Sequence, residues 1–228
     1  VTAALGVTSP SNSVKVNLTG GTITVATVGN SSPTFASLDF GFSSSTNATS
    51  TAGTIVIQNA NSAVSGPGDY RTPFGFNITG GNVQFGNATT TAASTFRGRG
   101  VLSNLVIDPT FNHTLQLTAG GATFAFSTTI PTGKTLDLNG NTLTVRGDLD
   151  ITAGATLAGT ATSSSLTFNG TAPQTFTNNG TLVDGFIRSL VVNNSSGATP
   201  AVAINNDLVI SNSFFLTFGS LGGSGTIT

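Results

Sequence analysis

The chain has 228 residues and a net charge of −1, with 7% of its residues charged and no Cys, Met or Trp; every acid is Asp. Seven basic residues against eight acids leave no electrostatic footprint for nucleic acid or an acidic membrane surface. The absence of Cys excludes disulfide staples and thiolate metal sites, and no run of eighteen apolar residues offers a membrane-spanning helix.

Hydrophobic residues make up 37%, which favours a packed core over disorder. With 29 Gly and 8 Pro and no sustained apolar spacing of three or four, almost no helix is expected. Residues 1–13 read as an arm or an incomplete first coil. Val14, Val16 and Leu18 alternate as a strand; Gly20-Gly21 turns, and Ile23 and Val25 alternate again. Phe35, Leu38, Phe40 and Phe42 form the next apolar run, followed by a loop from Ser43 to Ala52 and a strand at Ile55 and Ile57. Residues 59–73 hold the single Tyr and two Pro and read as the longest irregular excursion; Phe74, Phe76, Val83 and Phe85 restart the strand pattern.

Residues 134–151, KTLDLNGNTLTVRGDLDI, organise the second half. Leu136/Leu138, Leu143/Val145 and Leu149/Ile151 are three apolar pairs, each enclosing one polar residue, with Asn139-Gly140-Asn141 and Arg146-Gly147-Asp148 between them. Alternation at period 2 interrupted every six or seven residues predicts three short strands joined by tight corners. An internal echo sets the scale: VLSNLVIDP from Val101 matches FIRSLVVNN from Phe186, at an offset of 85 residues. Four coils of about 21 residues fit that offset. The expected fold is therefore all-β: a parallel β-helix, or β-solenoid, of about eleven short coils over residues 1–228, with 82–164 and 165–228 as related repeat units. The alternative is a β-sandwich, pilin-like domain in which Asn139-Gly140, Asn169-Gly170 and Asn179-Gly180 close antiparallel hairpins. Turns recurring every six to eight residues weigh against it.

Chemistry-bearing positions are few. Asp148 and Asp150 share one strand face, and Asp137 with Asn139 could extend it; a solvated outer face is the simpler reading than an acid pair or a Ca²⁺ site. His113, the only His, reads as a surface loop residue, and Arg97 and Arg99 as solvated charges in a turn, although two arginines could clamp a carboxylate or sulfate. No catalytic residue, metal site or cofactor is expected, and the protein is not expected to be an enzyme. Sequons at Asn17, Asn30, Asn47, Asn77, Asn87, Asn112, Asn169, Asn179, Asn193 and Asn194 mark glycan acceptors if the chain meets a glycosylating pathway; the simpler reading is Asn in turns. Sixteen Phe without Trp read as interior stacking, with Phe214-Phe215 as the exception, because adjacent strand residues face opposite ways.

The text SLTFNGTAPQTFTNNGTLVDGFIRSLVVNNSSG, followed by DLVISNSFFLTFG within residues 165–228, resembles bacterial surface proteins built of β-strand repeats, similar to filamentous-haemagglutinin-type adhesins. Residues 134–151 resemble them in the same way. The resemblance implies a solenoid fold and an extracellular, cell-surface location, and brings no catalytic residues with it. The chain starts at Val1 and stops within a strand at Thr228, the mark of a trimmed fragment or of a subunit that stacks. The expectation is a structural protein, the subunit of a cell-surface fibre or an adhesin stalk. Its partner is itself, as a homopolymer or the continuation of a longer chain, with surface glycans as a second class and neither nucleic acid nor a membrane span. The assembly surface is expected at Val1, Thr2, Ala3, Ala4, Leu5, Val14, Val16 and Leu18 on one side and at Phe214, Phe215, Thr226, Ile227 and Thr228 on the other. A polysaccharide-binding or polysaccharide-degrading β-helix and a donor-strand pilin are the alternatives.

Overall fold

The computed structural model describes residues 5–6, 16–26, 36–40, 48–61, 68–73, 75–159 and 163–228. They contain strands and no helix, and every pairing with a defined register is parallel. The fold is a β-solenoid of about seven turns. Parallel pairing throughout removes the hairpin reading of the Asn-Gly corners. The chain divides into two compact units, Val1–Ala122 and Thr123–Thr228.

In the first unit, β1 (Leu5–Gly6) and β2 (Val16–Val25) open the coils. They are followed by β3 (Leu38–Asp39), β4 (Ala48–Ile57), β5 (Tyr70–Arg71), β6 (Asn77–Ile78), β7 (Asn82–Phe85), β8 (Thr95–Leu102) and β9 (Asn104–Ile107). One sheet runs β1-β3-β5-β8 and the other β2-β4-β7-β9, with β6 also on β4. Leu5 pairs Leu38, Leu38 pairs Tyr70 and Tyr70 pairs Gly98, so the coils are 33, 32 and 28 residues long. Of the expected loop from Ser43 to Ala52, residues 48–52 are strand instead, in β4 along β2, and 43–47 lie outside the described residues. The expected excursion at 59–73 carries β5 in its second half. Tyr70 is buried there and donates its hydroxyl to the carbonyl of Val101 at 3.0 Å. Tyr70, Phe85, Phe96 and His113 form a run of aromatic contacts, with centroids 6.2, 5.5 and 5.3 Å apart. β10 (Thr114–Phe124) ends this part of the chain.

In the second unit each full coil carries three strands, each in its own ladder. They are β11 (Thr128–Ile130), β12 (Thr135–Asp137) and β13 (Thr142–Val145); β14 (Leu149–Ile151), β15 (Thr156–Ala158) and β16 (Ser165–Phe168); and β17 (Gln174–Asn178), β18 (Thr181–Leu182) and β19 (Ile187–Asn193). β20 (Val202–Ile204), β21 (Ile210–Phe218) and β22 (Leu221–Gly222) complete the unit. The ladders run β13-β16-β19-β21 and β12-β15-β18, two branches of one sheet, and β11-β14-β17-β20-β22, a second sheet. The three predicted strands within 134–151 are β12, β13 and β14, and all six apolar residues named there are buried. Asn139 and Gly140 both adopt positive φ, 48° and 73°, which turns the corner in two residues.

The expectation of eleven coils is corrected to about seven, for a local reason. Thr135 pairs Thr156, a step of 21, but Leu149 pairs Phe176 and Gln174 pairs Val202, steps of 27 and 28. The extra residues lie in the connections between strands. The strands keep their stacking while the corner loops vary in length, so a coil length taken from one compact stretch overestimates the number of coils.

The members of the 85-residue echo differ in setting. Residues 101–107 turn at Ser103 from β8 into β9, whereas 187–193 is the single strand β19 with a bulge between Ile187 and Ser189.

Candidate functional site

The last coil of the second unit differs from those before it. β21 pairs β19 on one side and, among the described residues, has no strand on the other; β22 stands likewise beside β20. The third side is Thr226–Thr228. Leu208 and Ile227 form a parallel bridge, Leu208 N donates to Thr226 O at 2.8 Å, and Ile210 N donates to Thr228 O at 2.8 Å. Register then places side chains that should be core. Leu143, Leu166 and Leu190 form one inward column, and Phe214 is its next member; Val145, Phe168 and Val192 form the second, continued by Leu216. The six earlier residues are at most 1% exposed, whereas Phe214 is 43% and Leu216 51% exposed. Phe215, opposite Val191, and Phe218, beyond a register shift, are 56% and 55% exposed. The coil thus presents a row of apolar side chains above an unpaired backbone edge, the two features that recruit another strand. Covering half of three such side chains would stabilise by about 3 kcal/mol before backbone hydrogen bonds are counted.

The expected assembly residues divide. Phe214, Phe215, Thr226, Ile227 and Thr228 all belong to this coil. On the other side, Val1, Thr2, Ala3, Ala4 and Val14 lie outside the described residues. Leu5 and Val16 are the first residues of β1 and β2, the outermost strands of their sheets. Leu18 is a buried core residue, so only the backbone of β2 could serve there.

Among the sequons, Asn30 and Asn47 also lie outside the described residues. Asn17, Asn77, Asn112, Asn169 and Asn179 are exposed, and Asn87 and Asn193 are half-buried. Asn194 is corrected from acceptor to structural amide. It is fully buried, and its Nδ2 donates to Ala172 O and Gln174 Oε1, both at 2.8 Å, leaving nothing for a transferase to reach in the folded chain. Gln174, which sequence reasoning missed, is the hub of that site. It accepts from Gly170 N and donates to the carbonyls of Val145 and Gly147, stitching three coils.

The carboxylates do not converge. Asp137 stands in β12, whereas Asp148 and Asp150 belong to the sheet of β14, and among the described residues no three of His, Cys, Asp and Glu gather as a metal set. Several acids instead tie one coil to the next. Asp148 accepts from Thr175 N at 2.7 Å and from the Ser127 hydroxyl, and Asp207 accepts from Thr226 N at 2.8 Å. The surface reading of His113 is corrected: the ring is buried, stacked edge-on to Phe96, and its Nδ1 accepts from Ser94 N at 3.1 Å. Arg97 and Arg99 lie in β8 rather than a turn. No described helix is long and apolar enough to cross a membrane.

Searches against protein-family models, curated proteins and solved structures returned no match to this chain.

Proposed function

We propose that the protein is an extracellular structural β-solenoid, the subunit of a cell-surface fibre or the stalk of an adhesin. It assembles end to end when a further parallel β-coil is laid on β21, β22 and Thr226–Thr228. The observation that carries this reading is the exposure of Phe214 and Leu216 at positions that are sealed in each preceding coil of their columns. An incoming strand would extend the existing ladder without rearrangement, since the edge already has strand geometry. The occupant is a coil of a second copy or of a continuing polypeptide. The Thr-, Asn-, Ser- and Gly-rich surface and the likeness of residues 165–228 to secreted surface repeats support the extracellular setting.

Electron microscopy and sedimentation of the purified 228-residue chain test this. Filaments that lengthen with concentration and are lost in the double variant Phe214→Asp/Leu216→Asp are the expected result. A wild-type chain that stays monomeric at all accessible concentrations would overturn end-to-end assembly of copies, and filaments unaffected by the double variant would relocate the joint.

A further inference from the structure

The first unit buries an unusual set of charges on one sheet. β3, β5 and β8 pair so that Asp39 lies beside Arg71 and Arg71 beside Arg99. One step earlier, Ser37 N donates to Gly68 O and Asp69 N donates to Arg97 O. Two adjacent columns result, Ser37–Asp69–Arg97 and Asp39–Arg71–Arg99. They alternate with Leu38, Tyr70 and Gly98, so Asp39, Asp69 and the three arginines share the face opposite the aromatic core. Both acids are fully buried even so. Asp39 forms a two-pronged ion pair with Arg71 and accepts from Ala36 N at 3.0 Å. Asp69 accepts from the backbone N–H of Asn61 and of Arg97. Arg97 donates from Nε to Gln116 Oε1 at 3.1 Å and from its terminal amine to Asn61 O. Arg99 donates to Ala119 O at 2.8 Å, at the solvent-facing end of the cluster.

Three guanidiniums thus face two carboxylates. The remaining acid of this unit, Asp108, follows β9 in the other sheet and accepts from Thr110 N. Like charges directly opposite one another on a sheet are unfavourable, and partial burial strengthens the repulsion. Arg99 bears it: burial and then the Arg71 charge lower its pKa, and only Asp39 opposes them. Burial also pushes Asp69 up to about 7, against its two backbone hydrogen bonds and the Arg97 charge, so the positive excess grows as pH falls.

We propose that Arg99, supported by Arg71 and Arg97, forms a binding site for an oxyanion of the carboxylate or sulfate type, as carried by uronic acids and sulfated sugars. A planar carboxylate, or two oxygens of a tetrahedral sulfate, can take parallel N–H donors from a guanidinium, and the negative charge of either would relieve the Arg71–Arg99 repulsion. The site lies within the first unit and does not depend on assembly at β21.

Isothermal titration of the full chain with sodium sulfate and with sodium galacturonate, against sodium chloride at matched ionic strength, tests this. Saturable heat with one or both oxyanions is expected, tighter at pH 6 than at pH 8, and about tenfold weaker or more in Arg99→Gln. Response to sulfate alone or to galacturonate alone would identify the preferred group. Arg188→Gln, in the second unit, is expected to bind as wild type. Should Arg99→Gln fail to fold by circular dichroism, Arg99→Lys, which keeps the charge and loses the fork, is expected to bind several-fold more weakly. Absence of saturable heat, or equal binding by wild type and the folded Arg99 variant, would overturn the proposal.

Discussion

Individual residues carry two measurable consequences. Asp69 is fully buried, and desolvation raises its pKa from 3.8 to about 7. The folded chain therefore holds this proton more tightly than the unfolded chain. The stabilisation is complete below about pH 4 and is lost as pH rises through 7, a span corresponding to about 4 kcal/mol. Urea unfolding of the first unit from pH 4 to 8 should show stability falling with pH by an amount of that order. Asp69→Asn should flatten the slope while costing one backbone hydrogen bond, since an amide cannot accept at both of its ends. A slope unchanged in the variant would assign the dependence elsewhere. Gln174 predicts a different result, because its amide pairs with Gly170, Val145, Gly147 and Asn194 inside the stack. Gln174→Ala leaves those groups buried without partners and should destabilise the second unit by about 2–4 kcal/mol, read from the shift in urea midpoint. Neither role was legible from local text. Asp69 lies in a stretch that reads as an excursion, and Gln174 in a polar run. What makes each matter is a neighbouring coil: Asp69 accepts from Arg97 N, 28 residues on, and Gln174 donates to the carbonyls of Val145 and Gly147, 29 and 27 residues back.

At the scale of the element, strand positions were readable and coil lengths were not. Leu136 to Ile151 alternates cleanly because one face of each short strand must be apolar, and β12, β13 and β14 fall where that alternation places them. β5 was missed because two residues cannot display a period; only the stacking of Tyr70 between Leu38 and Gly98 makes them a strand. The same stacking makes some glycines obligatory. Gly100 in β8 has φ of 93°, and an added Cβ would overlap the carbonyl and hydroxyl oxygens of Thr72. Gly100→Ala should therefore lower stability by more than about 2 kcal/mol and lower the thermal midpoint, combining strain at positive φ with a backbone clash. Gly185 and Gly197 meet no atom within 4 Å, so Gly185→Ala should pay the strain without the clash and cost clearly less. β21 is the element on which the proposed assembly rests. The sequence points one of the adjacent Phe214 and Phe215 outward; both are exposed in the terminal coil, because no described strand covers the inward column there.

For the whole molecule, the proposed assembly joins surfaces with few charges. If the joint rests on backbone hydrogen bonds and apolar side chains, raising NaCl from 0.05 to about 1 M should leave filament mass by light scattering nearly unchanged, because there is little charge to screen. Sulfate at equal ionic strength should increase it by strengthening apolar burial. A steep loss of filaments with NaCl would point to an ionic joint instead. Sequence alone determined that the chain is all-β and favoured a solenoid: low charge, period-2 alternation and frequent Gly and Asn corners specify short strands. The parallel pairing that separates a solenoid from a sandwich came from the structure. It also marked the apolar residues of the second unit, since inward positions in a strand must be apolar wherever they fall. Tertiary structure decided what depends on neighbours one coil away: the number of turns, the burial of His113, Tyr70 and Asn194, and the cluster of Asp39, Asp69 and three arginines. The contacts that decide these features join residues of different coils, such as Tyr70 with Val101 at 31 positions and Asn194 with Ala172 at 22, a distance at which local sequence carries no register. Whether Phe214 is core or surface is settled the same way, by whether another strand lies over it.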